Sequence, residues 1–109
     1  MTDINRKNID VLMARVYLTE AKAHLETLIE RLNDEHKVHG VTVFRGIAGF
    51  GKSGHIHSSS LLDMSLDLPV VVEFFDEPSK VRALVDELYQ MVGSGHIVTW
   101  PANLAVNGD

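Results

Sequence analysis

The residues best equipped for chemistry crowd into one stretch, from Gly40 to His57. Its first half, Gly40-Val41-Thr42-Val43-Phe44-Arg45, is β-branched and aromatic, the composition of a strand. Its second half, Gly46-Ile47-Ala48-Gly49-Phe50-Gly51-Lys52-Ser53-Gly54-His55-Ile56-His57, holds four glycines, a lysine, a serine and two histidines. Backbone amides freed from side-chain bulk can converge on an anion, and Lys52 adds a positive charge, so phosphate is the first ligand to consider. His55 and His57 have the i, i+2 spacing that chelates a metal from an extended segment, with His96 a further donor from across an interface. The plainer reading, preferred here, takes the two histidines as ordinary polar loop residues, whereas Lys52 is equally readable as a phosphate ligand or a solvated lysine.

As a pattern, Gly46-x-x-x-x-Gly51-Lys52-Ser53 matches the nucleotide-binding P-loop, and Val70 to Asp76 could pass for its companion strand. The physical context excludes that reading. A P-loop delivers phosphate to the first turn of a helix. The residues after Lys52 are Ser53-Gly54-His55-Ile56-His57-Ser58-Ser59-Ser60, with no apolar helical stripe before Leu61. A parallel sheet built of βαβ units, at about 30 residues each, also exceeds the room available in 109 residues.

The elements that must position this loop belong to one domain, since 109 residues make one core rather than two. With 45% apolar and 23% charged residues the chain has the material to fold. A formal net charge of -5, with no cluster of lysine and arginine beyond the adjacent pair Arg6-Lys7, argues against nucleic-acid binding. The absence of cysteine removes disulfides, thiolate metal sites and a cysteine nucleophile. The N-terminus lacks the apolar core of a signal peptide, and no run of about 18 apolar residues is present to insert in a membrane. A cytoplasmic protein is the expectation.

Taken in order, residues 1–11 read as a polar lead-in and Met13 to Leu18 as a strand. Thr19 can cap a helix over Glu20 to about Lys37, whose Leu25, Leu28, Ile29 and Leu32 share one face, and Gly40 closes it. The central strand, Val41 to Arg45, enters the glycine loop, and Ser58 to Ser65 reads as a short helical turn. Val70 to Phe75 is a nearly unbroken apolar strand. Pro78 opens a second helix with the stripe Val81, Leu84, Val85, Leu88 and Val92. Gly93-Ser94-Gly95 ends it, and His96 to Trp100 is a last strand stopped by Pro101, leaving 101–109 as a tail. The order β-α-β-β-α-β is that of the α+β ferredoxin-like fold, an antiparallel sheet with two helices on one face.

Two helices cover only one face of such a sheet, yet Val70 to Phe75 is apolar on both, and Met13, Tyr17 and either Val98 or Trp100 add to the uncovered side. Continuous apolar strands are buried on both faces. The expected cover is another copy of the chain, giving a homo-oligomer in which Arg15, Arg45 and Glu73 are paired or face a cavity.

Residues 12–100 resemble the PII signal-transduction superfamily and, within it, the PII-like branch catalogued as family 190 among domains of unknown function. The resemblance is carried by Arg15-Val16-Tyr17-Leu18-Thr19-Glu20, by Thr42-Val43-Phe44-Arg45-Gly46-Ile47-Ala48-Gly49-Phe50-Gly51 followed by His57, and by Leu61-Leu62 with Asp67-Leu68-Pro69-Val70-Val71-Val72-Glu73. It implies a ferredoxin-like trimer with its sheets turned inward and a T-loop-like segment at about 46–66. It further implies adenine-nucleotide binding in clefts between subunits, signalled through that loop to a transporter, enzyme or regulator. The implied nucleotide-binding residues are Arg45, Gly46, Gly49, Gly51, Lys52 and His57. PII proteins add a basic glycine-rich loop after the second helix; here it is only Gly93-Ser94-Gly95-His96, and no lysine or arginine follows Arg82. A triphosphate needs compensating cations, so AMP or ADP is expected ahead of ATP.

No nucleophile, base and orienting group are readable together, so neither catalysis nor a resident cofactor is expected, and no metal site is assigned. The competing reading is a small-ligand- or metal-binding enzyme of the same fold, using Lys52, His55 and His57. His24, His36 and His39 read as exposed helix and helix-end residues.

Overall fold

The computed structural model describes residues 5–19, 24–49, 57–58 and 69–108. Four long strands, β1 (Arg6–Thr19), β2 (Gly40–Arg45), β5 (Pro69–Asp76) and β6 (Ile97–Asn107), form one antiparallel sheet in the order β2-β5-β1-β6. Two short strands, β3 (Ala48–Gly49) and β4 (His57–Ser58), pair with each other between β2 and β5. Helix α1 (His24–Glu30) continues into a widened turn, Arg31–Glu35, and α2 spans Pro78–Val92. The ferredoxin-like arrangement read from the sequence is therefore present.

Alternation decides which side of the sheet the helices cover. Leu12, Ala14, Val16 and Leu18 of β1 and Val70, Val72 and Phe74 of β5 share one face, and all are buried. Leu28 and Leu32 press on them from the α1 region and Val81, Leu84 and Leu88 from α2, completing one core. Both helical stripes thus face the side expected of them. Pro78 takes the first turn of α2, where a missing N–H costs nothing, and Gly93 ends the helix at φ +84° by donating its N–H to Tyr89 O at 2.9 Å.

The sheet departs from the sequence reading at both ends of the chain. β1 begins at Arg6 rather than Met13, and β6 continues through Pro101 to Asn107, so the polar lead-in and the tail pair with each other from Arg6↔Asn107 to Leu12↔Pro101. The proline does not stop the strand because of its place in the ladder. Tyr17 N–H donates to His96 O at 2.8 Å, which makes every second pair a hydrogen-bonded one and leaves Leu12↔Pro101 between two of them. The nitrogen of Pro101 therefore faces away from β1 at the sheet edge, where no ladder bond is lost.

Two further readings change. β2 is not central but an edge strand, and Val43 and Phe44 remain 42% and 46% exposed. The first helix ends sooner than Lys37, in a turn where His36 N–H reaches Arg31 O, five residues back, at 3.1 Å. The Thr19 side chain, the start of the first helix over 20–23 and the helical turn beyond Ser58 lie outside the described residues; Ser58 itself belongs to β4.

Candidate functional site

One end of the sheet collects the glycine-rich segments. β2 finishes there at Arg45, opposite Val70. Gly46 follows and donates its N–H to Pro69 O at 2.7 Å, closing the base of the segment between β2 and β5. A Cβ on Gly46 would lie 2.7 Å from Pro69 Cγ, so only glycine permits this approach of the two chain ends. Just above, Gly49 stands directly opposite His57 in the β3–β4 pair. Four of the expected binding residues, Arg45, Gly46, Gly49 and His57, are thus brought to one loop base. Gly51, Lys52 and His55 lie outside the described residues.

The second glycine segment reaches the same end of the sheet from its other edge. Gly93 and Gly95 have φ of +84° and +86°, a conformation that disfavours side chains, and they lead into His96. Its Nδ1 is 2.8 Å from Tyr17 O. A carbonyl only accepts, so Nδ1 is the donor in this contact. Sequence reasoning raised His96 only as a spare donor; its direct pairing opposite Tyr17 is what fixes the ring. Between Arg45 on β2 and His96 at β6 lie three strand spacings, roughly 14 Å. Among the described residues, the two glycine segments therefore stand on opposite edges of the sheet.

The face without helices carries the charge expected on it. Arg15 and Glu73 are directly opposite on β1 and β5, and Arg15 Nε donates to Glu73 Oε1 at 2.7 Å. The guanidinium also lies 5.8 Å from the centre of the Phe44 ring and 5.5 Å from that of Trp100. The hydrogen bond to Glu73, with a further one to the Tyr17 side chain, raises the Arg15 pKa above its ordinary value. Arg45 does not join this cluster: it shares the helix-side face with buried Val70, so Glu73 is satisfied by Arg15. Around the pair, Tyr17 and Val98 are 41% and 50% exposed.

At the opposite end of the sheet Asp76 ties three elements together. Its carboxylate accepts from Glu77 N–H at 2.7 Å and His39 N–H at 2.9 Å, and Lys80 Nζ lies 3.2 Å away. Partial burial pushes its pKa upward, but these three donors outweigh it and hold the group below its ordinary value. An open notch of about 450 Å³ sits at this same end, between the β1–β6 extension and α2, with Asp10, Arg82 and Asn103 at its rim. It is remote from the loop base. No helix among the described residues is long and apolar enough to cross a membrane.

The model of the family DUF190, described as Uncharacterized ACR, matches residues 11–104 of this sequence. The chain belongs to the DUF190 family. A UPF0166 protein of Aquifex aeolicus is 34% identical over 88 residues, covering 81% of this chain and 83% of the relative. A UPF0166 protein of Methanocaldococcus jannaschii is 23% identical over 94 residues, 83% of this chain and 86% of its own. Among solved structures, CPII, a nitrogen regulatory PII-like protein from Thiomonas intermedia K12 bound to ADP, AMP and bicarbonate, superposes with a TM-score of 0.65 at 17% identity over 93% of this chain and 92% of CPII. Its apo form gives 0.56 at 15% identity over 93% and 96%. This DUF190 chain therefore has a PII-like fold.

Proposed function

We propose that the chain is a PII-like regulatory protein, not an enzyme, that assembles as a homotrimer and senses an adenine nucleotide in clefts between its copies. The observation that carries this reading is the placement of the two glycine segments at the same end but on opposite edges of one sheet. A neighbouring copy that brings its β6 edge beside β2 would set Gly93 to His96 against Arg45, Gly46, Gly49 and His57, with Gly51 and Lys52 as further loop ligands. The apolar, half-exposed open face supplies the surface for such assembly. CPII, of the same fold, binds ADP and AMP. The sparse positive charge favours AMP or ADP over ATP, because each added phosphate demands a cation. The 46–66 segment, rooted at Gly46 and Pro69, would then change its fit to a transporter, enzyme or regulator when nucleotide binds.

Thermal melting of the purified protein against AMP, ADP and ATP tests this directly. A ligand that prefers the folded assembly raises the melting temperature by mass action, by about 2.7 kcal/mol of stability at a hundred times its Kd. A saturable shift with ADP or AMP, weaker with ATP and lost in Lys52→Ala, is expected. No shift with any adenylate would remove the nucleotide from the reading.

A further inference from the structure

We propose that Glu35, His36 and Glu87 form a site for a divalent transition-metal ion, of which zinc is the best fit, on the helical side of the molecule. This site uses neither His55 nor His57 and does not depend on the nucleotide reading.

The widened turn creates it. Because His36 N–H bonds five residues back to Arg31 O, the end of the first helix accommodates an extra residue. Glu35 and His36 are then delivered beside Glu87 on α2. His36 Nε2 lies 3.2 Å from Glu87 Oε1, and one donor atom from each of the three side chains falls within 4.8 Å of the others. A tetrahedral ion with bonds of about 2.0–2.2 Å spaces its donors roughly 3.4 Å apart. The histidine and Glu87 already have that spacing, and exposed Glu35 closes the remainder by rotation.

One imidazole with two carboxylates is a donor set for a borderline ion such as zinc rather than for magnesium, which retains oxygen ligands and water. The other oxygen of Glu87, Oε2, accepts from Arg31 Nη1 at 2.9 Å. An ion on Oε1 leaves that bond intact, so Arg31 would orient the liganding carboxylate from behind. The cluster sets the carboxylates of Glu35 and Glu87 beside the single guanidinium of Arg31. His36 and Glu87 are half-buried and Glu35 is exposed, so an ion enters from solvent and keeps water in its open position. Without metal, the same groups form an ion-pair link between the two helices. That structural role and a metal site make different predictions.

Titration of the full-length, metal-free protein with zinc chloride by calorimetry, with magnesium chloride as control, separates them. Wild type should bind one zinc per chain saturably and magnesium not at all. His36→Ala and Glu35→Gln should each lose the zinc isotherm; Glu35 is exposed, so its variant keeps the fold and the comparison remains decisive. The His55→Ala/His57→Ala variant should bind as wild type does. Absence of zinc binding in wild type, undiminished binding in both His36→Ala and Glu35→Gln, or loss only in the loop variant would overturn the proposal.

Discussion

The two faces of the sheet are built from the same kinds of residue and behave differently. On the helix side, Ala14, Val16, Val72 and Phe74 are completely buried by helices of the same chain. On the other side, Tyr17, Phe44 and Val98 keep between 41% and 50% of their surface, and a salt bridge, Arg15 with Glu73, lies among aromatic rings. A closed core excludes charge because an unpaired ion in low dielectric is costly. An interface between copies admits a paired one, which fixes register as well as adding contact. The contrast teaches that the helix face is finished within one chain, whereas the open face has the composition of a surface completed by association.

Substitutions on the two faces should therefore fail in different ways. The largest effect is expected from Phe74→Ala, which empties a fully buried site and should cost about 3–5 kcal/mol in urea unfolding without changing the preferred assembly. Val71→Asp, on the open face opposite Tyr17 and Phe44, should do the reverse. An uncompensated charge in a covered interface costs about 3–5 kcal/mol, enough to release monomers near 12.1 kDa in sedimentation while circular dichroism retains the native signal. A folded assembly in Val71→Asp, or an unfolded chain, would erase the distinction between the faces.

A smaller effect is expected at Asp76, which joins β5, α2 and the entry to β2 without belonging to either face. Asp76→Asn removes charge-assisted acceptance and should cost about 1.5–3 kcal/mol at neutral pH. The sign of the pH dependence follows from its lowered pKa. The stabilisation is fully present above the unfolded value of about 3.8 and disappears as pH falls through the lower folded value. Acid unfolding of the wild type should include this loss below about pH 4, and that of Asp76→Asn should lack it. The smallest effect belongs to Pro101→Ala. Its nitrogen faces outward from an edge strand, so stability should move by no more than about 0.5 kcal/mol.

What was legible in the sequence was whatever depends on periodicity. The stripe Val81, Leu84 and Leu88 announced the buried side of α2, and the nearly unbroken apolar run Val70 to Phe75 announced a strand of the main sheet. Charged residues in apolar strands, Arg15, Arg45 and Glu73, signalled that Glu73 would need a partner, but only the register shows that it is Arg15 and not Arg45. What depends on register was not legible. Whether Pro101 ends a strand or sits harmlessly in it turns on which side its nitrogen faces, although the alternation of Leu104 and Val106 with Asn103 and Asn107 was a usable sign that the strand continues. β2 lies at the edge although its residues are apolar, because strand order depends on pairing rather than on composition. The meeting of His36 with Glu87 depends on an extra residue in one turn, which no repeat of apolar positions records.

The central claim is that the nucleotide site needs two copies of the chain, and the most direct measurement is ADP binding by Val71→Asp compared with wild type in calorimetry. If the cleft lies between copies, the folded monomeric variant should bind no ADP at concentrations that saturate the wild-type assembly. A folded monomer that binds ADP as tightly as the wild type would place the whole site within one chain and contradict the account.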